Sequence, residues 1–139
     1  MTTPFDCHDA NQRLVIALGD PAGIGMEVTL KALADPQRPA HINPLLVGCR
    51  ASLERTAQLL RERTQAPVAD PDDLEVDDQP IHGGPLEPGT AGSISGAASF
   101  QWLTRAVQLV QEGQGRALVT APIAKYSHDL GLTDFNTHA

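Results

Sequence analysis

The sequence predicts an α/β protein with a mainly parallel sheet and flanking helices, and three observations carry that reading. Short, unbroken apolar runs occur at residues 14–18, 44–48 and 117–120, a composition typical of strands covered on both faces. Segments with helical spacing follow or separate these runs, so strand and helix alternate along the chain. A glycine-rich turn, Gly19-Asp20-Pro21-Ala22-Gly23-Ile24-Gly25, joins the first run to the first helical stretch.

Residues 1–12 are polar and read as a flexible tail, and residues 13–139 as the amino-terminal part of an α/β unit. After the strand at 14–18, a helix is expected over 26–34, with Glu27 in its first turn favouring the helix dipole. It should stop near Asp35, because the residue before Pro36 avoids the α region. A second strand at 44–48 leads into a helix that opens at Ser52 or at Cys49-Arg50-Ala51 and runs to about 65, with Leu53, Ala57, Leu59 and Leu60 near helical spacing. Residues 66–76 leave room for one short strand. The segment 77–92 is rich in proline and glycine and reads as a long loop, a length often associated with function. A long helix follows over 93–112, its expected core stripe being Ile94, Ala97, Ala98, Leu103, Ala106, Val107 and Val110. Gly113 and Gly115 close it. A last strand at 117–120 precedes a short helix over 123–130, for which Gly131 would be the C-cap.

The 139 residues, 41% of them hydrophobic and 19% charged, suit one ordinary globular core. Aromatic residues are only 4%, so alanine, valine and leucine must supply most of the packing. The formal charge of −7 argues against nucleic acid or an anionic membrane as partner. Much of it sits in Asp70, Asp72, Asp73, Glu75, Asp77 and Asp78, a run that reads as a solvated loop more readily than as a metal site. No run approaches the roughly 20 apolar residues of a membrane span. The first residues hold no secretory apolar region, and Cys7 and Cys49 are too few for a disulfide framework. A cytoplasmic protein is expected. His8, His41, His82 and His128 show no metal-ligand spacing.

A strand, a tight glycine turn and a helix start bring backbone N–H groups and a helix dipole to one point, where an anion can dock. The spacing G-x-x-x-G-x-G is neither the dinucleotide fingerprint nor a P-loop. By itself it reads more readily as an ordinary βα turn. Two further segments add to it: Pro88-Gly89-Thr90-Ala91-Gly92-Ser93-Ile94-Ser95-Gly96, and Ala117-Leu118-Val119-Thr120-Ala121-Pro122-Ile123-Ala124-Lys125. In this order, the three resemble the amino-terminal part of the 4-hydroxythreonine-4-phosphate dehydrogenase family of pyridoxal phosphate biosynthesis, from about Leu14 to His138.

The resemblance implies a fold similar to isocitrate and isopropylmalate dehydrogenases, incomplete here. It further implies NAD as cofactor, a divalent metal (zinc, magnesium or cobalt) in a full-length parent, and a homodimer. The implied substrate is a small phosphorylated hydroxy-amino acid, 4-phosphohydroxy-L-threonine, which the family oxidises and decarboxylates. His138 falls at the family's substrate-binding histidine, and Ala139 at a position where relatives carry threonine. The family's metal ligands would follow Ala139, so this chain is expected to hold no metal site and no catalytic residue. Asp20, Gly23, Gly25, Thr120, Pro122 and Lys125 are candidates for a ligand cleft, against the plainer readings of turn cap, tight packing and solvated lysine. Thr137, Ala139 and Ala124 depart from the family's usual glycine, threonine and asparagine. The implied function is the amino-terminal part of that dehydrogenase, the fragment alone being inactive. Alternatives are a paralogue acting on another phosphorylated hydroxy acid, or a non-catalytic α/β binding module. An acyl-phosphate transferase related by fold is a weaker third.

The turns at 19–25 and 89–93 are expected to meet at the mouth of a cleft, since glycine-rich loops at strand ends suit close ligand approach.

Overall fold

A computed structural model describes residues 13–87, 89–90 and 92–123. Eight elements follow in order: β1 (Arg13–Ala17), α1 (Gly25–Leu33), β2 (Asn43–Gly48), α2 (Arg50–Arg63), a 3₁₀ turn (Pro71–Asp73), β3 (Glu75–Asp78), α3 (Ser93–Gln111) and β4 (Ala117–Thr120). The strands form one sheet in the order β3-β2-β1-β4, and all three pairings are parallel. The expected strands at 14–18, 44–48 and 117–120 are therefore neighbours in one parallel sheet.

Parallel strands need crossovers, and these are right-handed almost without exception. From β1 to β2 to β3 the chain steps one way across the sheet, which puts α1 and α2 on one face. From β3 it jumps back past β1 to β4, which puts α3 on the other. Val15, Ala17, Leu18, Leu46 and Val47 lie buried between the layers. Met26, Leu30, Leu53 and Ala57 come from α1 and α2, and Trp102, Ala106 and Leu109 from α3.

Three expectations are corrected. The acidic run is not one solvated loop, because Glu75, Asp77 and Asp78 form β3 and continue the sheet beyond β2. Partners make this possible: Glu75 meets Arg13 at 2.9 Å, Asp77 meets Arg105 at 3.0 Å, and Asp78 accepts the Arg50 backbone N–H at 2.9 Å. Asp70 likewise caps the 3₁₀ turn by accepting from Asp72 N. The loop expected over 77–92 thus begins only after Asp78, and the strand expected within 66–76 starts at Glu75 and runs two residues past that window.

The third correction concerns α3. Its buried face is Ser95, Ala98, Ser99, Trp102, Ala106 and Leu109, whereas Ile94 and Val107 are 54% and 38% exposed. Small residues let the first half of α3 approach the sheet closely. Their hydroxyls stay satisfied locally, Gly92 N donating to Ser95 Oγ at 2.9 Å and Ser99 Oγ to the Gly96 carbonyl at 2.8 Å. The single tryptophan fills the centre and donates from Nε1 to the Gln79 carbonyl at 3.2 Å. The helix expected over 123–130, its Gly131 cap and the tail at 1–12 lie outside the described residues.

Candidate functional site

In an open parallel sheet, ligands bind beyond the carboxyl ends of the strands, where the direction of winding reverses. Here that point lies between β1 and β4, and the loops leaving both strands meet there. Ala121 N donates to the Ala17 carbonyl at 2.9 Å, and Asp20 N to the Pro122 carbonyl at 3.2 Å. Gly19 has φ +79°, and a Cβ on it would stand 2.4 Å from the Pro122 oxygen. Gly25 is equally constrained: a Cβ there would lie 2.2 Å from the Leu18 carbonyl oxygen and 3.1 Å from Ala121 Cβ. These glycines let the turn after β1 fold back beneath the chain leaving β4.

Asp20 is 1% exposed and accepts the Ala22 N–H through Oδ1 at 2.8 Å, while Gly23 N donates to the Asp20 carbonyl at 2.9 Å. This Asx turn aims the chain into α1. The helix then starts at Gly25, with no side-chain cap hydrogen bond at Ile24.

The second glycine loop comes to the same place. Gly89, at φ +82°, donates its N–H to the Ala22 carbonyl at 2.8 Å. Between the two loops and α2 lies a groove of about 410 Å³. Its walls include Pro21, Gly23 and Ile24 from the first turn, Pro85, Leu86 and Gly89 from the second, and Ser52, Arg55, Thr56 and Arg63 from α2. Arg55 is paired with Glu87, which ties the second loop to α2. The expected meeting of the two glycine loops at a cleft is what the structure shows.

The candidate cleft residues separate into groups. Gly23 lines the groove. Asp20 and Gly25 are buried behind it and shape the turn. Thr120 and Pro122 are exposed at the end of β4, with the Pro122 carbonyl holding Asp20. Lys125, His138 and Ala139 lie outside the described residues. The α2 wall was not foreseen, since Ser52, Arg55, Thr56 and Arg63 sit in an ordinary helical pattern without a motif. Among the described residues no group of three His, Cys, Asp or Glu side chains could hold a metal ion. None of their helices is long and apolar enough to cross a membrane.

The fold and this site define a doubly wound α/β protein with a groove between its two glycine turns and α2, beside the carboxyl end of β1. The chain belongs to the family described as pyridoxal phosphate biosynthetic protein PdxA, whose model matches residues 40–139. It is similar to the 4-hydroxythreonine-4-phosphate dehydrogenase of Synechococcus sp. (strain RCC307), at 55% identity over 81% of this chain and 33% of the relative. A Symbiobacterium thermophilum protein provisionally named D-threonate 4-phosphate dehydrogenase is 32% identical over 94% of this chain and 42% of its own length. Among solved structures, the 4-hydroxythreonine-4-phosphate dehydrogenase of Burkholderia phymatum superposes with a TM-score of 0.74. It is 29% identical over 87% of this chain and 39% of the other. The chain thus spans about a third of the length of the first curated relatives it matches.

Proposed function

We propose that this chain is the amino-terminal part of an NAD-dependent 4-hydroxythreonine-4-phosphate dehydrogenase, acting in the cytoplasm on 4-phosphohydroxy-L-threonine in pyridoxal phosphate biosynthesis. One observation carries the reading: in a PdxA-family chain, the Gly89 N–H bonds the Ala22 carbonyl and joins two glycine turns beside a groove, at the carboxyl end of β1.

The residues present suit part of such a site. NAD, when bound, accepts the hydride. The uncapped first turn of α1 and the exposed Gly23 suit an anionic or ribose-phosphate group approaching the backbone. Gly19 and Gly25 hold that turn in place, and the Asp20 carboxylate, closed into its own turn, fixes where the N–H groups point. The described residues do not suit a divalent metal, having no ligand set. The metal and the homodimer of the proposed parent follow from the family resemblance, as do the substrate roles of Lys125, His138 and Ala139.

The test is a chimera in which this chain replaces the matching first third of the Synechococcus sp. (strain RCC307) enzyme. NADH formation at 340 nm with 4-phosphohydroxy-L-threonine is the expected result. A folded chimera without turnover would overturn the reading. The similarity to the Symbiobacterium protein favours a second substrate, D-threonate 4-phosphate. Assaying both compounds on the chimera decides between them.

A further inference from the structure

One hydroxyl in the groove wall has no partner. Ser52, in the first turn of α2, is 4% exposed and lines the groove, and its Oγ is buried without a hydrogen bond. A hydroxyl inside a helix can donate to the carbonyl four residues back, as Thr56 does to Ser52 at 2.8 Å and Thr29 to Gly25 at 2.7 Å. For Ser52 that carbonyl belongs to Gly48, which already accepts the Gln79 N–H at 2.8 Å. A buried hydroxyl left unpaired is costly, and a ligand atom that hydrogen-bonds it removes the cost.

The far end of the same wall carries a free charge. The charged side chains along the groove are Glu27, Arg55 and Arg63. Glu27 is paired with Lys31 at 2.7 Å and Arg55 with Glu87, whereas Arg63 has no ion pair among the described residues. Ser52 and Arg63 stand on one face of α2, about three turns or roughly 16 Å apart. Leu59 and Leu60 lie between them on the helix, and Met26 and Leu86 add to an apolar lining. A groove of about 410 Å³ that is mostly apolar, with few polar groups at set places, has the make-up of a small-molecule site.

We infer that the α2 side of this groove binds a small, elongated organic anion. Its acid group sits at Arg63, its apolar body on the two leucines, and a hydrogen-bonding group at Ser52. A carboxylate, sulfonate or phosphate monoester would each serve at a guanidinium. The dehydrogenase reading calls on the glycine turns and the Gly23 end of the groove, so this second site goes beyond that reading and does not depend on it.

The probe is 8-anilinonaphthalene-1-sulfonate, an apolar anion with an N–H, whose fluorescence rises when it leaves water. Saturable binding of one dye per chain is expected. Arg63→Glu should weaken it about tenfold or more, and Ser52→Ala about threefold. Arg61→Glu makes the same charge change on α2 outside the groove and should leave binding unchanged. So should Val119→Lys, on the open edge of the sheet, where Val119 is 44% exposed. The uncharged N-phenyl-1-naphthylamine should bind about tenfold more weakly. Absence of saturable binding would overturn the inference, as would equal losses in Arg61→Glu and Arg63→Glu. Loss in Val119→Lys with binding kept in Arg63→Glu would also overturn it, since the dye would then lie on bare sheet. In the chimera, saturating NAD should leave the dye bound; displacement would give the whole groove to the cofactor and overturn a separate site. NADH formation by the chimera is read apart from these arms. Dye binding without turnover would support this site and overturn the dehydrogenase reading, and turnover without dye binding would do the reverse.

Discussion

Gly25 has no room for even a methyl group, because its Cα faces the Leu18 carbonyl oxygen across a turn that must close. Gly25→Ala should therefore cost about 1–3 kcal/mol in overpacking, visible as a lower urea midpoint. Gly83→Ala makes a useful comparison. Unlike Gly25 it has positive φ, but a Cβ there would meet nothing within 4 Å, so it carries only the backbone penalty. Asp20→Ala removes the acceptor for the Ala22 N–H in a buried turn, and a loss of about 1–3 kcal/mol is expected by the same measurement. Equal midpoints for wild type and Asp20→Ala would show that the turn holds without its carboxylate.

Single elements were legible in proportion to how strongly one local signal fixed them. β1, β2 and β4 were readable because continuous apolar runs leave few other placements, and α1 because a glycine turn opens it and Pro36 follows its end. β3 was not, since its residues are mostly acidic and the Arg13, Arg105 and Arg50 N–H partners that offset their charge are distant in sequence. The inner face of α3 was misread for a related reason: Ser95 and Ser99 count as polar in a periodicity but are small enough to pack. The groove beside the glycine turns was half legible, because its α2 wall has no motif. Trp102 joins α3 to the sheet by both volume and hydrogen bond, so Trp102→Ala should cost about 3–5 kcal/mol and free α3 to exchange its amide hydrogens faster. Unchanged exchange in α3 would mean that the helix is held mainly by its small-residue half.

For the whole molecule, the described residues supply a crevice and a fixed turn without a metal-binding set. The isolated 139-residue chain is accordingly expected to give no NADH above background with 4-phosphohydroxy-L-threonine and added zinc or magnesium. Missing electrostatic partners in such chemistry each cost on the order of 10²–10³ in rate. Clear turnover would place the catalytic groups within this chain.

The order of the strands also sets a timetable. β1 is made first yet sits inside the sheet, and its pairing with β4 joins Leu14 to Ala117, about a hundred positions apart. Loop closure over that span is entropically the costliest pairing in the sheet, so β1 and β2 are expected to zip together early and β4 to dock last. On the ribosome, one flank of β1 would stay bare until residue 120 has cleared the exit tunnel. The emerging chain would carry that unpaired flank until β4 follows.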